Sequence, residues 1–255
     1  MTSSQKQTFS VVLGAIFLSL AFITAGFWVC SEVPLTTQLL STNTSEFDES
    51  PYTHDELIHL AMETRDFTVG NYERRDLGIE GAQNALAEEV LEAAKSSSEA
   101  SSPKADQWTQ GALDVLGQSI DADNAVANME DLYVQGPQYA LDKEALSHLD
   151  DVNMLLDKLF YPLLGCVIIA AFLLMVSDRV LGPGTSGRTL RWGGFLTLFI
   201  FLILGIWAGL YFEGFFTALH SLFFADGSWY FPSDSLLIQM YPISFWMGMG
   251  IVWLA

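Results

Sequence analysis

The chain has 255 residues, room for one or two compact domains, with 51% apolar residues, only 16% charged residues and a net charge of −19. A soluble domain carries about 25% charged residues, so this composition excludes an ordinary water-soluble globule. Of the 30 acidic residues, 26 lie between Glu32 and Asp157, and a surface that acidic repels phosphate, which excludes nucleic acid as a partner.

Residues 1–10 are expected to form a short cytoplasmic N-terminus with Lys6. Residues 11–30 then give twenty positions without a charge, the length that crosses a hydrocarbon core. That run is longer than the core of a cleaved signal peptide and no A-x-A site follows it, so an uncleaved transmembrane helix is expected. Residues 31–157 form an acidic, mainly helical domain on the outer face. Within it, Thr53-His54-Asp55-Glu56 is a capping box and predicts a helix over 54–66. Residues 82–95, rich in Ala, Glu and Leu, predict a second helix. Residues 96–106 read as a low-complexity linker and 107–120 as a weakly helical stretch. No strand-like alternation stands out.

Residues 142–159 carry the most information. Ala145, Leu149, Val152, Leu156 and Leu159 recur at helical spacing as one apolar stripe, and Glu144, His148, Asp151 and Leu155 run along the next. This helix feeds the second apolar run, 160–176, with a kink expected at Pro162. Residues 177–191 hold Arg179, Arg188 and Arg191 against Asp178 alone, and basic residues mark the cytoplasmic side. Residues 192–212 form the third run, 213–235 an aromatic outer loop, and 236–255 the fourth run. The expected class is therefore an all-α membrane protein of four transmembrane helices, with a helical outer domain between the first two and both termini cytoplasmic. Cys30 and Cys166 lie at different predicted depths, which argues against a disulfide.

Of four histidines, His148 and His220 map to the same outer interface. Two imidazoles beside lipid headgroups point to ester or amide chemistry on a lipid, one as general base and the other stabilising a developing oxyanion, with Asp151 placed to orient His148. An interfacial histidine is also often only an amphipathic residue, and an aromatic cluster often only an anchor. His54 and His59 fall on a surface helix. A mixed metal site from His148, Asp151, His220 and Asp234 ranks lower, since no paired-ligand motif is present. Ser147 or Ser221 could be a nucleophile, but no G-x-S-x-G elbow supports either. No metal or cofactor is expected. The apolar runs carry no buried charge to mark a transport pathway.

The segments ALSHLDDV (145–152) and LHSLFFADGSWYFPSDSLLIQMYPISFW (219–246) resemble the bacterial lipoprotein intramolecular transacylase family, in its actinobacterial-like branch. Leu219 stands where that family usually has phenylalanine, Ile243 where it often has an acid, and the turn over 229–234 looks shortened. The resemblance implies that His148 and His220 are the functional pair; the expected assignment makes His148, oriented by Asp151, the general base and His220 the group that binds or protonates the reacting ester, with an exchange of the two roles left open. It implies a diacylated lipoprotein as substrate, with one acyl chain moved from the glyceryl sn-2 position to the α-amino group of the N-terminal cysteine. On that reading Trp229, Phe223 and Phe224 seat acyl chains and Asp234 fixes the second loop. Two further readings stay open: a non-catalytic protein that scaffolds lipoproteins or envelope partners, and a lipid ester hydrolase.

Overall fold

The structure is a computed structural model and describes residues 2–44, 50–70, 72–118 and 124–254. It is built of α-helices: α1 (Ser3–Glu32), α2 (Pro34–Thr44), α3 (His54–Val69), α4 (Tyr72–Ser98), α5 (Gln110–Leu116), α6 (Ala125–Gln135), α7 (Lys143–Leu181), α8 (Thr185–Leu210), α9 (Phe212–Phe223), α10 (Leu236–Met240) and α11 (Ile243–Leu254). No strand occurs among the described residues. The chain divides into two compact units, Met1–Cys30 with Leu155–Phe223 and Gly250–Ala255, and Ser31–Met154 with Phe224–Met249.

The first unit is apolar on the outside. Ser3–Glu32, Lys143–Leu181 and Thr185–Leu210 are each long and apolar enough to cross a membrane, which makes this a membrane protein. Inside the unit, α1 turns its small residues inward, with Gly14, Ala15 and Ser19 buried and Phe9, Val12 and Ile16 exposed. That inversion is expected where lipid replaces water and helices associate by close backbone approach. Thr197 Oγ1 donates to Ser19 Oγ at 3.1 Å, and Leu18 lies over Gly193, where a Cβ would stand 2.7 Å from Leu18 Cδ2 and force that side chain to shift. Gln7 Nε2 donates to the Leu181 carbonyl at 3.1 Å and to Thr185 Oγ1 at 2.9 Å, fastening the turn between α7 and α8. Pro162 sits inside α7 without ending it.

The second unit holds a hydrophobic core of Leu57, Leu60, Ala61 and Phe67 from α3, Leu86, Val90 and Leu91 from α4, Met129 and Leu132 from α6, and Leu236 and Met240 from α10. The capping box of α3 forms as the sequence predicts: the Glu56 N–H donates to Thr53 Oγ1, and the Thr53 N–H donates to Glu56 Oε2 at 2.8 Å. The helix predicted over 82–95 is the centre of α4, which is interrupted at Gly78 in a left-handed conformation (φ 75°).

Three expectations change. Residues 96–106 are not a free linker: Ser97 is fully buried, its hydroxyl donates to the Pro51 carbonyl at 2.7 Å, and Trp108 stacks on Tyr139 just beyond. Of the weakly helical stretch 107–120, Gln110–Leu116 is helix, capped by Thr109, and its last two residues lie outside those described. The run 236–255 is not one helix. Tyr241 leaves the helical region (φ −127°, ψ 62°) ahead of Pro242, because proline disfavours the helical conformation in the residue before it. Four of the five residues of α10 are buried, with Leu236, Leu237 and Met240 in the core of the second unit. Only the twelve of α11 remain as an apolar helix, and twelve residues rise about 18 Å, short of a full span.

Candidate functional site

His148 lies on α7, whose start is fixed by Asp142. The Asp142 carboxylate accepts from the Ala145 N–H at 2.7 Å, and its carbonyl accepts from the Leu146 N–H at 3.1 Å. One turn later the imidazole is buried, not set on a rim, with Phe224 edge-on at 4.9 Å and Phe231 tilted at 5.7 Å between ring centroids. Two neighbours hold this stretch of α7 in place. Gln83 Nε2 on α4 donates to Asp150 Oδ2 at 2.6 Å, and Asn153 Nδ2 donates to the Thr68 carbonyl at the end of α3 at 2.8 Å. Asp151, the expected orienting acid, is half-buried one turn beyond His148.

His220 lies in the first unit, on α9. This helix was expected as loop, because its run of aromatics reads as an anchoring belt. Its Nδ1 is 2.9 Å from the Phe216 carbonyl oxygen, and its ring lies 3.9 Å from that of Phe216 between centroids. A carbonyl oxygen only accepts, so Nδ1 must carry a proton, and in the neutral ring Nε2 holds the lone pair. Burial pushes the imidazole below its ordinary range; the bond to Phe216 opposes this more weakly. Burial thus favours the neutral ring, and the bond to Phe216 fixes its tautomer.

The remaining predicted residues separate. Phe224 is packed beside His148, whereas Phe223 is exposed and falls in the first unit. Trp229 is buried in the second unit with Tyr230 stacked on it at 3.9 Å, so the exposed ring of that pair is Tyr230. Asp234 is exposed, and its part in the fold is through its backbone: its carbonyl accepts from Gln239 Nε2 at 2.9 Å, closing the turn into α10. Among the described residues, no group of three or more His, Cys, Asp or Glu side chains is placed to hold a metal ion. His59, half-exposed between Glu63 and Glu89, lies on the surface of α3 as expected.

The sequence reading missed Phe231, Asp150 and Asn153. Phe231 had a signal in its aromaticity but none for its partner, which is 83 residues away. Asp150 and Asn153 fall at positions one before and one after the residues that the periodicity singled out.

No curated protein and no solved structure matches the chain. Residues 121–246 match the family described as lipoprotein intramolecular transacylase Lit. That stretch contains His148, His220 and the aromatic segment between α9 and α10, and over it the chain is similar to the lipoprotein intramolecular transacylase family.

Proposed function

We propose that the protein is an intramolecular acyltransferase of the outer leaflet. It moves one acyl chain from the sn-2 ester of a lipoprotein's diacylglyceryl group to the α-amino group of the same N-terminal cysteine. The observation that carries this reading is the hydrogen bond of His220 Nδ1 to the Phe216 carbonyl, which leaves Nε2 as the basic nitrogen of a neutral ring.

The chemistry follows from that base. An α-amine has a pKa near 8 and is largely protonated at neutral pH. His220 Nε2 takes a proton from it, and the amine lone pair attacks the ester carbonyl carbon. That first proton is released to solvent; the nitrogen–carbon bond forms, the bond from that carbon to the glyceryl oxygen breaks, and a second proton, lost by the attacking nitrogen, passes through Nε2 to the departing oxygen. The products are an amide and a free sn-2 hydroxyl, with no water consumed. Nucleophile and ester share one molecule, so orientation supplies much of the rate and no enzymic serine or cysteine is required. His148 is the second histidine of the reaction, supplying a proton or hydrogen bond to the developing oxyanion.

For topology, we propose four membrane segments with both termini and the 177–191 turn in the cytoplasm. Arg179, Arg188 and Arg191 stand there, while the one acid, Asp178, is occupied by the Ser186 N–H and hydroxyl at 2.9 and 2.6 Å. The short α11 is the fourth segment, and the 31–157 and 213–235 segments lie outside.

The test is to express the chain with a tagged diacylated lipoprotein in a host lacking N-acylation and to weigh its N-terminal peptide. The reading expects an N-acylated, sn-2-deacylated cysteine of unchanged total mass, lost with His220→Ala and His148→Ala. Release of free fatty acid would make the protein a hydrolase, and an unmodified lipoprotein would leave it a binding protein.

A further inference from the structure

α2 buries small polar side chains and exposes leucines, alongside the exposed Gln38, Thr42 and Asn43. Its buried side chains are Thr36, Thr37 and Ser41, while Leu35 and Leu39, one turn apart, are 57% and 55% exposed and Val33 beside them is 40% exposed. A helix facing water would show the opposite pattern. The inward face is held: Leu40 packs on the backbone of Gly248, where a Cβ would stand 2.6 Å from Leu40 Cδ2.

Three further observations concern what covers the outer face. First, α2 has no charged residue, nor has Val33, within a segment that carries most of the chain's 30 acids. An acidic domain is repelled by anionic headgroups, so a neutral patch is the surface that can approach a membrane. Second, the polar side chains at the end of α2 bond back to their own helix. Thr42 Oγ1 donates to the Gln38 carbonyl at 2.7 Å, Asn43 Nδ2 to the Leu39 carbonyl at 2.5 Å, and Thr44 Oγ1 to the Leu40 carbonyl at 2.8 Å. Such bonds suit a helix whose surroundings offer little water. Third, one residue separates α2 from the end of α1, so α2 begins within about 8 Å of the end of a helix that can cross the membrane.

We propose that α2 is an in-plane membrane helix, with Val33, Leu35 and Leu39 inserted among the lipid chains where α1 emerges. This goes beyond the acyltransferase reading and does not depend on it. The occupant of the face is bilayer lipid. A second copy of the chain is the rival, and it would need an apolar face wider than two leucines and a valine to hold a stable dimer.

The test uses the full chain in phosphatidylcholine vesicles. In a Cys30→Ala/Cys166→Ala background, an environment-sensitive fluorophore is attached at Leu39→Cys, at Leu35→Cys and, as control, at the exposed Ser96→Cys. Phosphatidylcholine bearing a doxyl group on its acyl chain should remove most of the emission at positions 35 and 39 and leave position 96 bright. The unsubstituted chain, irradiated with a diazirine-bearing phosphatidylcholine, should take label on the peptide holding Leu35 and Leu39. Emission at 39 as resistant to quenching as at 96, with that peptide unlabelled, would overturn the proposal. Disulfide-linked dimers through Leu39→Cys without quenching would overturn it too, and would assign the face to a second copy.

Discussion

The Phe216 carbonyl oxygen and His220 Nδ1 stand 2.9 Å apart across one turn of α9, and this single bond decides which nitrogen of the imidazole can act as a base. The helix thus supplies both the ring and the acceptor that fixes its tautomer.

The pH dependence follows. Burial holds the folded-state pKa of His220 below its ordinary value, which is about 6.5. The basic form persists as pH falls past that value, so the acid limb of N-acylation should lie below the ordinary histidine range. The same shift means that the unfolded chain binds the proton more readily. The group's contribution to stability is therefore present above about pH 6.5 and is lost as pH falls toward the folded pKa. A pH–rate profile in detergent checks the first statement, and an acid limb above the ordinary histidine range would contradict it.

Removing the proposed base should cost much more than removing its neighbours. His220→Ala is expected to lower the rate by roughly 10²–10⁴-fold, the usual worth of a positioned general base, with lipoprotein binding retained. Phe216→Leu keeps the carbonyl and removes the ring, so it should leave most of the rate. A Phe216→Leu variant as inactive as His220→Ala would show that the ring contact, not the backbone bond, carries the function.

The Thr53–Glu56 capping box starts the helix whose last turn holds Asn153. Thr53→Ala should destabilise the second unit by about 1 kcal/mol, seen as a lower midpoint in thermal unfolding. An unchanged midpoint would mean that packing of Leu57 and Leu60 alone sets the start of α3.

Gly26 faces Trp253, whose Nε1 donates to the Ile23 carbonyl at 2.9 Å. A Cβ at Gly26 would stand 2.4 Å from Trp253 Cδ1 and 3.1 Å from the Trp253 carbonyl oxygen, so the indole would have to move. Gly26→Ala should cost roughly 1–3 kcal/mol, the range for overpacking, and should loosen α11 from α1. Protease accessibility of α11 in detergent would report it; a variant as resistant as the parent would contradict the contact.

Much of this fold was readable from residues alone, and the failures share a cause. The long apolar runs needed only length and hydropathy, and α3 announced itself through its capping box. The helix α2 was missed because periodicity assumes polar residues outside, and here Thr36, Thr37 and Ser41 point in. The break in the last run had a signal, Pro242, but continuous apolarity hid it until α10 was seen buried with Leu60 and Ala61. Both candidate histidines were singled out by residue type and place in the chain. What could not be read was how each is held: His148 against Phe231 through a contact 83 residues long, and His220 through a helix that looked like loop.

The most direct test of the acyltransferase account is a crossover experiment. Two lipoprotein populations are mixed with the enzyme, one isotopically heavy in both its peptide and its acyl chains, the other light in both. The account predicts N-acylated products in which heavy peptide carries only heavy acyl chains and light only light, formed by the parent chain and absent with His148→Ala or His220→Ala. Products of mixed mass, or acyl chains released as free acid, would contradict it.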